Sequence, residues 1–197
     1  GYSFTDWGGN ILFVTMTTLI MYFYTDVMGL PANGALSAAT IILISRIVNA
    51  LLAFVWGWAI DHKWAFYSKW GQCRPWFLFL AGPFVVTTWL CFAAPAFNIT
   101  STAGMFGFAL LTYIFSSGVC YNGLAAALNA IVTNLTKNDN DRRVASTFRM
   151  FGGGAGWLFA ALTTFVLTGI ASACWGSDKN DARAYYITVA IWAVMAL

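Results

Sequence analysis

The sequence predicts an all-α membrane protein, from its composition and from the distribution of its apolar residues. Of its 197 residues, 60% are hydrophobic and only 9% are charged, which is far from the usage of soluble domains. The apolar residues collect in six long segments that short polar links separate. A soluble domain of this length would need a polar surface that this composition lacks.

The six apolar segments predict six helices in order along the chain. A membrane-spanning helix needs about 20 mostly apolar residues, and five of the segments reach that length. The sequence ends inside the sixth segment and starts without methionine, so we expect a fragment of a longer protein. The prediction is one transmembrane bundle over 1–197, with helices at about 10–30, 36–60, 75–97, 104–133, 147–173 and 184–197.

Positive charges in the links predict the orientation of the bundle. Seven lysines and arginines follow helices two and four, whereas two follow helix five. Because cytoplasmic loops carry the excess of these residues, the N-terminus is expected in the cytoplasm of a multi-pass membrane protein. The net charge of +3 comes from these clustered cations, and no nucleic-acid partner is expected.

The residues that carry catalysis or bind metals form no recognisable set. The four cysteines and the single histidine lack the spacing of a metal site or of a disulfide framework. No Ser/His/Asp set and no pair of carboxylates stands out. We therefore expect a protein that is not an enzyme and that has no metal centre and no cofactor.

The second apolar segment carries a charge at Arg46. Asn49 and Ala53 follow at helical spacing and share its face. An arginine near mid-membrane costs about 3 kcal/mol on insertion scales, so it usually faces a cavity or a protein interior. The alternative is an arginine that snorkels outward or pairs with Asp26. The position of Arg46, well inside its helix, favours the cavity.

Polar residues in the other segments leave two interpretations open. Asp6 and Asn10 open helix one, and Asn10 either hydrogen-bonds a ligand hydroxyl or belongs with Asp6 to the polar residues that cap this helix. On helix four, Asn122 and Asn129 share a face, whereas Tyr121 points away from Asn122. These amides either bridge to neighbouring helices or line a polar path. The glycines at 152–154 and 156 indicate close helix packing rather than phosphate binding.

Four stretches resemble one known family in the same order along the chain. They are Asp6–Asn10, Tyr24–Leu30, Arg46–Trp76 and Asn129–Arg149. The second reads Tyr-Thr-Asp-Val-Met-Gly-Leu, and the third ends in Arg-Pro-Trp. Over nearly its whole length, the chain resembles the N-terminal half of the glycoside–pentoside–hexuronide cation symporters. These form the melibiose-permease-like branch of the major facilitator superfamily.

The resemblance implies a fold and a mechanism. The fold is a twelve-helix major facilitator fold, of which this chain would be the N-terminal six-helix half. The mechanism is alternating access, in which two halves rock around a site near the middle of the membrane. The implied location is the bacterial inner membrane, and the implied partners are a small sugar, the lipid bilayer and the missing C-terminal half.

The resemblance also implies roles for particular residues. Positions equivalent to Asn10, Tyr121, Ala125, Asn129 and Arg149 surround the sugar, and Arg46 and Asn122 are further candidates for this site. The conformational loops of the family correspond to Gly57, Asp61, Gly71, Arg74 and Arg142.

The chain departs from the family at the site of the coupling cation. Two helix-two carboxylates of the family, which bind sodium, proton or lithium, are replaced here by Asn49 and Ala53. With Asn122, these residues form a degenerate cation site. Neither Asn49 nor Ala53 can titrate, and hard cations favour anionic oxygen ligands. The coupling ion, Na⁺ or H⁺, is therefore not expected to bind at helix two as it does in the family.

Three transport hypotheses follow, and a fourth hypothesis, a non-transporting membrane receptor or assembly factor, is favoured only by the missing carboxylates. The first is a secondary transporter of a sugar or glycoside, with cation symport implied by the resemblance. The second is an uncoupled sugar facilitator, because the helix-two carboxylates are missing. The third is a carrier of amphipathic lipids or anionic solutes, with Arg46 and Arg149 as ligands of the head group.

Overall fold

The chain forms a bundle of helices in a computed structural model that describes residues 2–31, 34–62, 74–93, 97, 101–135, 138–174 and 182–196. No strand occurs within these ranges. The described residues include two π-helical segments: Phe23–Val27 extends the first helix, and Ile114–Tyr121 joins the fourth helix to the fifth. The α-helices are α1 (Tyr2–Tyr22), α2 (Ala38–Asp61), α3 (Arg74–Phe92), α4 (Thr102–Tyr113), α5 (Asn122–Leu135), α6 (Asp139–Cys174) and α7 (Ala182–Ala196).

Five stretches of the described chain are long and apolar enough to cross a membrane. One of them, Thr102–Ile131, combines α4, the π-helical segment and most of α5 into a single span. A shorter apolar helix, Ala184–Met195, lies within α7. The predicted all-α membrane class is confirmed. The five spans are Thr5–Val27, Ala38–Asp61, Pro75–Phe92, Thr102–Ile131 and Asp139–Ile170.

Two helices begin earlier than their apolar segments indicate. The predicted starts lie near residues 10 and 147, whereas α1 begins at Tyr2 and α6 at Asp139. The first turn of α6 carries Asp139 and Asp141, whose negative charges stabilise a helix N-terminus. Polar turns of this kind extend a helix beyond its apolar part, which explains the difference for α6.

Two other boundaries lie close to sequence signals. Ser37 caps α2, because its side chain accepts a hydrogen bond from the Thr40 amide at 3.2 Å. Helix α3 was predicted to reach residue 97 but ends at Phe92. Pro95 follows shortly in the sequence, and a proline disfavours helical geometry at the residue before it.

Helix α1 lies at the centre of the bundle. It packs most extensively against α6 and also contacts α7 and α3. Its side chains enter both apolar clusters of the core: Ile11 and Leu12 belong to one, and Met16 and Ile20 belong to the other. The packing of these side chains holds α1 in place from Ile11 to Ile20.

The contact between α1 and α6 depends on small residues. A Cβ atom added at Gly156 would lie 2.8 Å from the carbonyl oxygen of Trp7, and one at Gly153 would lie 2.6 Å from Oδ2 of Asp6. Thr15 and Thr164 also share a hydrogen bond of 3.2 Å across this contact. The prediction of close helix packing is confirmed for Gly153 and Gly156, whereas Gly154 faces open space.

Large apolar side chains remain exposed on α2 and α6. They include Leu51 and Phe54 on α2 and Phe151 and Leu162 on α6. Such surfaces are stable against lipid tails or against another apolar helix bundle, but not against water. The exposed surface therefore agrees with the membrane class.

Candidate functional site

A cavity of about 770 Å³ lies beside the N-terminal half of α1. This volume is within the range of about 300–1,000 Å³ that is usual for small-molecule sites. Its wall is apolar along α3 and polar along α1 and α6. The polar side chains that reach it are Thr5, Asp6, Asn10, Tyr121 and Arg149.

An ion pair joins two helices at this wall. Nε of Arg149 on α6 lies 3.4 Å from Oδ2 of Asp6 on α1, and these side chains are 18% and 16% exposed. Arg149 also donates from Nη1 to Oδ1 of Asn129 on α5 at 2.6 Å. The guanidinium group thus connects three helices at the edge of the cavity. Such an arrangement holds a charged hydrogen-bond donor in a fixed position.

A second polar group surrounds Asn10. Its Nδ2 donates to the carbonyl oxygen of Asp6 at 2.7 Å, and its Oδ1 accepts from the hydroxyl of Tyr121 at 3.4 Å. Asn10 therefore lies inside α1 and does not cap it. Its amide connects α1 to the end of the π-helical segment, where Tyr121 is located.

Aromatic side chains form one side of this group. The ring of Tyr121 stacks on Phe13 with a centroid distance of 3.9 Å and an angle of 7°. Phe84 on α3 lies 5.9 Å from the same ring, measured between centroids. The cavity therefore combines a rigid aromatic surface with amide and guanidinium donors. This combination suits ligands that have both apolar ring faces and hydroxyl groups.

Comparison with known families decides the classification. Residues 1–197 match the family described as MFS/sugar transport protein. The chain belongs to this family. The match covers every residue of the sequence given.

Three relatives show where the chain lies within this family. It is 33% identical over 196 residues to the isoprimeverose transporter of Lactiplantibacillus pentosus. It is 31% identical over 191 residues to the uncharacterized symporter YnaJ of Bacillus subtilis, and 30% identical over 158 residues to the putative glycoside/cation symporter YagG of Escherichia coli. The alignments cover 100%, 97% and 80% of this chain, but only 38%, 38% and 32% of the relatives. The chain thus spans about two fifths of the length of the first two.

The sugar positions that the family resemblance implies come together in the structure. Asn10, Tyr121, Ala125 and Arg149 all line the cavity. Asn129 is exposed and bonds to Arg149. These residues come from α1, the π-helical segment, α5 and α6, which are far apart in the sequence.

The candidate site residues on α2 do not line this cavity. Arg46 and Ala53 are on exposed parts of α2, and neither lines this cavity. Asn49 is half-buried. Its Nδ2 donates a hydrogen bond to Oγ of Ser117 at 3.0 Å, and its Oδ1 lies 3.4 Å from the same oxygen. The predicted wall residue Arg46 is therefore separate from the group around Arg149.

The two open interpretations of Asn122 are now distinguishable. Its Nδ2 donates to the backbone oxygen of Asn49 at 3.0 Å, which bridges α5 to α2. Asn122 does not line the cavity. It does lie beside Asn49, so the structure brings together two of the three residues of the degenerate cation site. The described residues contain no group of three or more His, Cys, Asp or Glu side chains that could hold a metal ion.

The residues of the implied conformational loops are only partly described. Gly57 and Asp61 lie in the last turns of α2, and Arg142 is half-buried near the start of α6. Arg74 begins α3. Gly71 lies outside the described residues.

The sequence interpretation missed Asp6 as a site residue. It assigned Asp6 to the opening of helix one, where acidic residues are common. A usable signal was present, because Asp6 and Asn10 are four residues apart and share a helix face. Phe13 was not singled out either; it stacks on the Tyr121 ring without lining the cavity, and one aromatic residue in an apolar helix does not stand out.

Proposed function

We propose that this chain is the N-terminal six-helix half of a secondary transporter that carries a sugar or glycoside by alternating access. The observation that carries the proposal is the cavity where Asn10, Tyr121 and Arg149 meet. Sugar hydroxyls accept and donate hydrogen bonds to amide and guanidinium groups, while sugar ring faces pack on aromatic rings. The names of two relatives, an isoprimeverose transporter and a putative glycoside/cation symporter, support the same substrate class.

The missing half completes the site in this proposal. The exposed apolar faces of α2 and α6 would contact the C-terminal half and lipid. Arg46, on an exposed part of α2, would then face that half, where a cavity between the halves gives its charge a polar surrounding. The N-terminus lies in the cytoplasm and the membrane is the bacterial inner membrane, as the loop charges and the bacterial relatives support.

A carrier of anionic solutes or lipids receives less support. Such a carrier would use Arg149 as a ligand for the negative group. In the structure a carboxylate, Asp6, already lies beside this guanidinium. A neutral substrate fits this arrangement better.

The direct test of the proposed function is counterflow in proteoliposomes. Proteoliposomes that contain the full-length protein are loaded with an unlabelled glycoside and then exposed to a labelled one. The panel consists of xylosides and glucosides. We expect a sugar-specific signal, because counterflow requires only exchange of substrate. A protein that exchanges no sugar of the panel but exchanges anions or lipids would contradict the proposal.

The coupling site on α2 is tested by restoring its carboxylates. Asn49→Asp would place a carboxylate near the hydroxyl of Ser117 and the amide of Asn122, and Ala53→Asp would add a second one turn further along α2. Because anionic oxygens bind hard cations, we expect sodium or proton dependence of uptake to increase in this double variant. Uptake is measured with and without an imposed cation gradient. Ala53→Asn, which adds a neutral amide at one of the two positions, is the control, and sodium stimulation of the double variant equal to that of the wild type would contradict the prediction.

A further inference from the structure

The ion pair at the cavity leaves its wall without net charge. Asp6 and Arg149 are the only charged side chains among the described residues that line the cavity. Their Oδ2 and Nε atoms lie 3.4 Å apart, and both side chains are largely buried. One negative and one positive charge therefore balance within the same wall.

The position of the Asp6 carboxylate is built into the packing of α1 on α6. Gly153 makes room for it, because a Cβ at residue 153 would lie 2.6 Å from Oδ2. Asn10 donates to the Asp6 carbonyl oxygen at 2.7 Å, within the same turns of α1. The backbone of Asp6 is thus fixed within α1, and its carboxylate lies between α1 and α6, beside the arginine and at the cavity wall.

This arrangement determines what Arg149 offers to a ligand. Its Nε faces Asp6 and its Nη1 bonds to Asn129. Arg149 lines the cavity, and the N–H groups of a guanidinium donate to neutral hydroxyl oxygens. A ligand carboxylate or sulfonate at the same place would meet the negative charge of Asp6 as well as the positive charge of Arg149. Like charges in a desolvated site repel strongly.

We infer that Asp6 is a specificity-determining residue, which makes this cavity select neutral glycosides over sugars that carry a carboxylate or a sulfonate. The inference rests on the proposed sugar transport. In this inference, the Asp6 carboxylate neutralises the positive charge of Arg149. Without that carboxylate, the guanidinium would act as a binding site for an anionic sugar.

The test compares neutral and anionic probes that share one ring. Full-length protein in proteoliposomes is assayed by counterflow with methyl β-xyloside and methyl β-glucoside, and with methyl β-glucuronide, which differs from them by a carboxylate. For the wild type we expect at least about tenfold preference for a neutral probe, the factor typical of one charge-assisted hydrogen bond. A wild type that exchanges the glucuronide as well as the neutral probes would overturn the inference.

The variant Asp6→Asn keeps the shape of the side chain and removes its charge. We expect the ratio of neutral to anionic counterflow to fall by about tenfold or more, because the positive charge of Arg149 is then no longer balanced by a carboxylate. Asp26→Asn, at an exposed position at the end of the first helix, is the matched control and should leave the ratio unchanged. An unchanged ratio in Asp6→Asn, with the neutral probe still exchanged, would overturn the inference.

A second variant, Gly153→Ala, keeps both charges and serves as the test if Asp6→Asn folds poorly. Gly153→Ala crowds Oδ2 of Asp6 and should lower the ratio in the same direction by a smaller factor. A ratio that stays at the wild-type value in this variant contradicts the inference. Failure of the proposed function looks different, because the wild type would then exchange none of the three probes.

Discussion

Replacing Arg149 with glutamine is expected to abolish most sugar exchange. The variant loses the charged donor at the cavity and leaves the largely buried carboxylate of Asp6 without this partner. Hydrogen bonds to a charged group contribute about 2–3 kcal/mol, which corresponds to roughly 30- to 150-fold in transport. The measurement is the initial rate of glycoside counterflow, corrected for the amount of protein in the membrane.

Two further variants separate the role of Arg149 from a general loss of structure. Arg143→Gln removes an arginine at an exposed position of α6 and should leave the rate close to that of the wild type. Combining Arg149→Gln with Asp6→Asn should recover part of the folded protein, because the uncompensated carboxylate is then gone. An Arg149→Gln protein that is present at normal levels and exchanges sugar at the wild-type rate would exclude this arginine from the site.

Truncating Tyr121 is expected to weaken sugar binding while leaving the helices in place. Tyr121→Ala removes the ring that stacks on Phe13 at the cavity wall. Loss of this apolar surface should raise the KM for the glycoside by about tenfold, since burying an aromatic ring contributes about 1.5–3 kcal/mol. Tyr121→Phe keeps the ring and loses only the long hydrogen bond to Asn10 at 3.4 Å. Its KM should rise by less than about fivefold, the value for one weak neutral hydrogen bond.

The control for Tyr121 comes from the same π-helical segment. Phe115 is exposed and does not line the cavity, so Phe115→Ala should leave the KM unchanged. Equal KM values for Tyr121→Ala and Tyr121→Phe would contradict a role for the aromatic ring.

The helices were predictable to the extent that apolar length defines them. The second helix was predicted at 36–60 and is found at Ala38–Asp61, because its apolar residues begin and end with the helix. The first and fifth predicted helices were too short at their N-terminal ends. The turns around Asp6 and Trp7 pack closely on Gly153 and Gly156 of α6, and no local pattern reveals contacts with a distant segment.

The candidate site was predictable only in part for a related reason. Helical spacing shows that Arg46 and Asn49 share a region of α2, but it does not show which side of the helix faces a cavity. Asn10, Tyr121 and Arg149 were named separately, and the structure brings them together through the contacts of α1 with α6 and with the π-helical segment. The pairing of Asp6 with Arg149 depends on the close approach at Gly153, which sequence spacing alone does not give.

The most direct measurement for the central claim is protection of the cavity by substrate. A cysteine is introduced by Ala125→Cys at the cavity wall, and its labelling by a membrane-permeant maleimide is followed in the full-length protein. Native Cys91 and Cys120 are buried, and wild-type protein gives the background. Asn140→Cys, at an exposed position near the start of α6 and outside this cavity, is the control. If the cavity binds the sugar, a glycoside that supports counterflow will slow labelling of Ala125→Cys and leave Asn140→Cys unaffected. Equal labelling of Ala125→Cys with and without that glycoside, in a variant that still transports it, would contradict the account.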